Sequence, residues 1–147
     1  MIIFLDFDGV LRRDGSPPSS FQNDCLTHFE SSIRPYDEIE IVISSSWRVV
    51  VTLAEIRGFF SSDIARRIVG KTPDFDGKKP HTRFAEIQEY LRSSEKLNAS
   101  WIAVDDSPEL FPTDAPLLLT ESRLGFNGEC ALRLRQMILT RRNDAEP

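Results

Sequence analysis

The chain opens on Met1-Ile2-Ile3-Phe4-Leu5 and runs straight into Asp6-Phe7-Asp8-Gly9-Val10-Leu11. An apolar run without polar alternation suits a strand buried on both faces, the habit of parallel sheets covered by helices. Residues two apart in an extended chain point the same way, so Asp6 and Asp8 share one face while Phe7 packs on the other. Two carboxylates that close repel each other unless a cation lies between them or one holds a proton. Gly9 then breaks the strand. A purely polar strand end is the plain alternative, and acids wedged between a buried run and a glycine turn fit it poorly.

Beyond this point strand and helix patterns alternate. Arg12–Ser20 (RRDGSPPSS) is a Pro/Gly/Ser loop. Phe21–Ile33 has helical periodicity through Phe21, Cys25, Leu26 and Phe29, with Ser19 or Ser20 as its N-cap and Pro35 as its stop. Ile39–Ile43 (IEIVI) predicts the second strand and leads into Ser44-Ser45-Ser46. A helix is expected from about Trp47 to Phe60, with Thr52-Leu53-Ala54-Glu55 inside it resembling a capping box. Arg67–Gly70 predicts a third strand, Lys71–Pro80 a polar loop, and Thr82–Leu91 a helix burying Phe84, Ile87 and Leu91. Trp101–Val104 is the fourth strand and Leu117–Thr120 the fifth. Asn127 caps a last helix reaching about Arg141, and the tail from Arg142 is expected to fray. Trp101 and Phe111 read as core.

Alternation of this kind builds βαβ units and a parallel sheet with helices on both faces. Ligands in such sheets bind outside the carboxyl ends of the strands. Three of the five predicted strands end there in reactive side chains: Asp6 and Asp8, the serine triplet, and Asp105-Asp106. Alone, the last pair reads equally well as a turn or cap before Ser107-Pro108. With the first acids it makes an oxygen-only site suited to Mg²⁺, which takes few carboxylates and keeps several waters.

The run Asp6-Phe7-Asp8-Gly9-Val10-Leu11 resembles the first motif of the haloacid dehalogenase (HAD) superfamily, whose phosphatases begin with Asp-x-Asp-Gly and a hydrophobic pair. The resemblance implies that Asp6 is the nucleophile and Asp8 the general acid/base. Asp105-Asp106 looks like the fourth motif and implies a metal set of Asp6, Asp8, Asp105 and Asp106 around Mg²⁺. The serine triplet looks like the second motif, whose hydroxyl binds the transferring phosphoryl group; Ser45 is the first choice, Ser44 the next, and Ser46 reads as a helix cap. Small HAD domains of nucleic-acid repair proteins are similar in following such serines with Trp-Arg, here Trp47-Arg48, which brings Arg48 in as a substrate contact beside its plain reading as a solvated helix charge. A cation of the third motif is needed to hold phosphoryl charge next to Asp6. Lys79 and Arg83 both qualify, with Lys71 and Lys78 behind them, and the Arg-x-x-Glu-Ile pattern at Arg83–Ile87 favours Arg83.

The resemblance implies a three-layer, Rossmann-like α/β fold of strand order 3-2-1-4-5 over one domain, 1–147. It also implies a Mg²⁺-dependent phosphatase that passes through an aspartyl-phosphate. Neither Arg12–Ser20 nor Lys71–Pro80 can hold a cap domain with a core of its own. An open site then favours a phosphate at the end of a macromolecule or nucleic acid; a small-metabolite phosphatase is the alternative. A silent phosphate-binding module or a receiver-like regulatory domain is the rival from another class. A receiver resembles an acid pair after the first strand and a phosphoaccepting Asp after the third, and here the third strand runs into Gly70-Lys71. The net charge of −5 argues against extended nucleic-acid binding. No apolar run approaches membrane-helix length, Met1–Leu5 lacks a signal peptide's basic flank, and two cysteines, Cys25 and Cys130, read as buried thiols. A cytoplasmic location is expected.

Overall fold

The computed structural model describes residues 1–17 and 20–143. Its centre is a five-stranded sheet in the order β3-β2-β1-β4-β5, formed by β1 (Ile2–Leu5), β2 (Glu40–Ile43), β3 (Ile68–Lys71), β4 (Trp101–Asp105) and β5 (Leu117–Leu119). All neighbouring pairs are parallel. β1 lies in the middle, with Leu5 level with Ile43 of β2 on one side and Val104 of β4 on the other. Every residue of β1 is buried, as its unbroken apolar composition requires.

Helices cover both faces. On one side, α1 (Asn23–Ile33) and α5 (Gly128–Asn143) bring Phe29, Ile33, Leu134 and Ile138 against Ile3, Leu5, Ile41 and Ile43. The short helices α2 (Leu53–Arg57) and α3 (Ser62–Ala65) and the turn between them extend that layer with Ile56, Phe60 and Ile64. On the other side α4 (Thr82–Ser93) packs Ile87 and Leu91 on Ile2, Phe4, Val42 and Ala103. Phe4 is wholly buried and meets Tyr90 and Trp101 edge to face, each at 5.7 Å between ring centres. Phe111 is buried and Trp101 half-buried in this layer.

The expected helix from Trp47 to Phe60 is instead broken. A 3-10 turn covers Ser46–Val49, Val50 is 84% exposed, and α2 starts afresh at Leu53. Thr52 and Glu55 form a full capping box there, satisfying donors at that helix start reciprocally. The β-branched Val49-Val50-Val51 run disfavours continuous helix in front of such a strong start signal. α1 begins later than expected. Its N-cap is Gln22, which makes no capping bond; its side chain accepts instead from the Arg13 backbone N–H at 2.5 Å. Ser19 lies outside the described residues. Asn127 does cap α5, accepting from the Cys130 N–H at 3.0 Å, and the helix continues through Arg142 to Asn143. The remainder of the tail lies outside the described residues. Cys25 and Cys130 are free and buried, and among the described residues no helix is long and apolar enough to cross a membrane.

Phe4→Ala removes the ring that joins the central strand to α4. Its expected cost is about 3–5 kcal/mol, read as a lower midpoint in urea unfolding.

Candidate active site

The chemistry collects at the carboxyl edge of the sheet, where parallel register sets neighbours side by side. The Asp6 N–H donates to the Val104 carbonyl at 3.0 Å and the Ser44 N–H to the Leu5 carbonyl at 3.0 Å. Asp6 therefore sits between the residues that follow β2 and the end of β4. Carboxylate oxygens of Asp6, Asp105 and Asp106 lie within 4.8 Å of one another. Asp6 and Asp105 are buried. Burial, more than any neighbouring charge, pushes the Asp6 carboxyl up to about 6, with Arg83 opposing. Burial and then the Asp6 charge push Asp105 up to about 8.

Gly9 is indispensable to this packing. It holds φ +77°, and a Cβ there would lie 2.1 Å from Asp106 Oδ2. The same turn is pinned by Thr120, whose hydroxyl donates to the Gly9 carbonyl at 2.8 Å. The Ser107 N–H donates to Asp105 Oδ1 at 3.0 Å and its hydroxyl to Asp106 Oδ1 at 3.1 Å. Asp105 Oδ2 has no hydrogen-bond partner although it is buried. An orphaned oxygen in a nest of three carboxylates is what a hard cation requires, and Mg²⁺ suits the oxygen-only set.

Arg83, from the first turn of α4, is the cation that reaches the cluster. Its Nη1 is 3.9 Å from Asp6 Oδ1 and its Nε 3.7 Å from Asp105 Oδ2. These distances are too long for hydrogen bonds, and Nη1 is itself buried without a partner. The guanidinium thus keeps donor capacity for an anion. Lys79 is not brought here: it folds over the Phe75 ring, 4.9 Å from its centre. Lys71 donates to the Arg48 carbonyl, and Lys78 pairs with Asp76.

Three further expectations need correction. Arg48 is not a solvated charge, being only 4% exposed, and its donors are turned toward the protein. Its guanidinium donates to the carbonyls of Ser44, Ser45, Thr72 and Pro73 and pairs with Glu86 at 2.9 Å. Asp8 lies outside the carboxylate cluster. Its Oδ1 pairs with Arg12 at 2.6 Å and its Oδ2 accepts from the Trp47 indole N–H at 3.1 Å, so its side chain is not part of the metal set. Ser45 also differs from expectation. Its hydroxyl accepts from the Trp47 N–H at 3.3 Å, making Ser45, and not the exposed Ser46, the cap of the 3-10 turn. Ser44, level with Asp6, is the serine the fold sets beside the acids. Trp47, Arg12 and Glu86 were missed as site residues; the Trp47-Arg48 pair and the spacing from Arg83 to Glu86 were the visible signals.

Fold and site together define a parallel α/β domain with a cluster of three carboxylates at its carboxyl edge and a guanidinium facing that cluster. Residues 2–131 match the family model of the HAD domain in Swiss Army Knife RNA repair proteins, and the chain belongs to that family. Searches of curated proteins and of solved structures returned no match.

Carboxyls raised by folding stabilise the protein below their unfolded values and lose that contribution as pH rises through the folded ones. Metal-free protein is therefore expected to lose stability at Asp6 and Asp105 as pH climbs from about 4 through 6 and 8, and Mg²⁺ to restore it. In thermal melts, Asp105→Asn should raise the metal-free Tm at pH 8, with the gain shrinking toward pH 4, and should abolish the Mg²⁺ shift. Gly9→Ala should also lose the Mg²⁺ shift, because Asp106 must move.

Proposed function

We propose that the chain is a Mg²⁺-dependent phosphomonoester phosphatase working through phosphorylation of Asp6. The observation that carries this reading is an unpartnered carboxylate oxygen on Asp105 and an unpartnered guanidinium nitrogen on Arg83, both beside Asp6. A cation and an anion are both wanted within reach of one nucleophile. Asp6, Asp105 and Asp106 would hold Mg²⁺, which supplies positive charge to the phosphoryl oxygens and keeps the carboxylates ionised.

In the first half-reaction an Asp6 oxygen attacks phosphorus and the bond to the leaving oxygen breaks. Asp8 gives that oxygen its proton. In the second, Asp8 takes a proton from water, the water oxygen attacks phosphorus, and the bond to Asp6 breaks to release inorganic phosphate. Arg83 and the Ser44 hydroxyl hold the phosphoryl oxygens in both steps. Trp47 and Arg12 keep the Asp8 carboxylate at a fixed place beside the turn.

An RNA end is the substrate class that best fits. The family's members are domains of RNA repair proteins, and the two stretches where a cap would be inserted, 9–22 and 72–81, carry no helix or sheet of their own among the described residues. A terminal phosphate on a large molecule can enter such a site, whereas a small metabolite gains little shielding there. With a net charge of −5, contact is confined to the terminus and weakens with salt. The free Cys25 and Cys130 fit a reducing compartment, as a cytoplasmic protein would have.

The test is a Mg²⁺-supplemented phosphatase screen over 3′- and 5′-phosphorylated oligoribonucleotides, phosphopeptides and sugar phosphates. The oligoribonucleotide is expected to give the highest kcat/KM. Asp6→Asn should abolish turnover in folded protein, and Asp8→Asn should slow it by roughly 10²–10⁴-fold. Turnover near wild type in Asp6→Asn would sink the mechanism, and a sugar phosphate ahead by tenfold would sink the substrate assignment.

A further inference from the structure

α4 carries the cation that faces the acids, and the bonds at its start, Thr82 to the Lys79 carbonyl and His81 to the Glu109 carbonyl, tie it to its own loop and to the turn after β4 but not to the serine turn. Its N-cap residue, His81, has a left-handed backbone (φ 48°) and makes no side-chain capping bond. Arg83 makes no hydrogen bond with the acids it faces and retains an unpartnered Nη1. One turn further along the same helix stands Glu86, 3% exposed. Its Oε1 accepts from the Phe75 N–H at 3.0 Å and its Oε2 pairs with Arg48 at 2.9 Å. Arg48 in turn grips the carbonyls of Ser44 and Ser45 after β2, and of Thr72 and Pro73 after β3.

A buried ion pair is a poor device for stability, because desolvating two charges offsets most of their attraction and an apolar pair of similar volume often does as well. What such a pair does supply is a single geometry. Arg48 presents a planar fork of five donors. Four backbone carbonyls and a carboxylate take them up, which ties the serine turn, the β3–α4 loop and α4 at one point. Residues three apart on a helix lie on the same side, so locking Glu86 also sets the position of Arg83 relative to Asp6 and Asp105.

We propose that Arg48 and Glu86 are positioning residues: their buried pair locks α4 to the serine turn, so that Arg83 and Ser44 meet one phosphoryl group from opposite sides. The proposal rests on the phosphatase reading above. Neither residue touches substrate; both act through Arg83 and Ser44. The metal set, held by the β1 and β4 ends, does not depend on them.

The experiment measures, for wild type and variants, the affinity for inorganic phosphate in the presence of Mg²⁺, the Tm, the Mg²⁺-induced Tm shift, and KM and kcat on the best phosphomonoester. Glu86→Gln keeps the shape and the acceptor for Phe75 while removing the charge. It is expected to weaken phosphate binding and raise KM by tenfold or more, with the Mg²⁺ shift intact. Arg48→Met combined with Glu86→Met separates positioning from stability. If the pair merely supports the fold, the apolar replacement that restores Tm also restores phosphate affinity, and the proposal is overturned. If it positions Arg83, phosphate affinity stays at least tenfold down in protein that melts near the wild-type temperature. Glu86→Gln with wild-type phosphate affinity and KM overturns the proposal by itself, without reference to the double variant. A wild-type protein that neither binds phosphate nor hydrolyses any phosphomonoester overturns the phosphatase reading, and the positioning proposal with it; failure confined to the variants' predicted losses leaves that reading standing.

Discussion

Asp6 and Asp105 end adjacent parallel strands, and the register that pairs Leu5 with Val104 sets these two carboxylates against each other out of water. Burial is unfavourable to the charged form of each and drives both carboxyls up, Asp105 further by the charge of Asp6. Much of the surrounding structure answers that one constraint. Arg83 supplies an opposite charge from the far face of the sheet, Ser107 donates to the neighbouring acid oxygens, and Gly9 removes a side chain that would strike Asp106. The acids remain incompletely satisfied, with Asp105 Oδ2 buried and without a hydrogen-bond partner.

The fold supports this strain with a conventional core. Ile, Leu, Val and Phe fill both faces of the sheet, with α1 and α5 on one side and α4 on the other. Burial on both faces makes β1 rigid, and rigidity at Leu5 is what holds Asp6 in place. The turn after β2 works in two directions at once. Trp47 reaches across to Asp8, while Arg48 turns inward to Glu86 and four carbonyls. Consecutive residues of one 3-10 turn thereby contact Asp8 on one side and the helix that bears Arg83 on the other.

Membership in the RNA-repair HAD family and the loops at both cap-insertion points bear on the same question, what reaches the pocket. A lid would bury a small substrate completely. Here the nearest equivalent is the segment from Arg12 to Pro17, whose Arg12 holds the carbonyls of Ser16 and Pro17 together with Asp8. That contact links the shape of the loop to the carboxylate proposed as acid/base.

The sequence by itself determined the class of fold and the acids. The parallel sense of the strands and the positions of Asp6, Asp105 and Asp106 follow from apolar runs that stop at charged or hydroxyl residues, because burial on both faces and the βαβ connection leave few other arrangements, whereas the order of the strands came from the family resemblance. Asn127 as a cap, the capping box at Thr52 and the free cysteines were legible for the same local reasons. The long helix from Trp47 was misread because apolar periodicity spans the Val49–Val51 break and says nothing of a turn capped by Ser45. The tertiary structure decided between Arg83, which the sequence pattern already favoured, and the nearby lysines, and it alone showed which serine is level with Asp6 and what Arg48 does. Each of those depends on where a side chain three or more elements away comes to rest: Lys79 and Arg83 are four residues apart in the chain, yet one packs on Phe75 and the other faces Asp6. A charge read in sequence carries no sign of its partner, and Arg48 found its partner, Glu86, only once α4 had packed against the sheet.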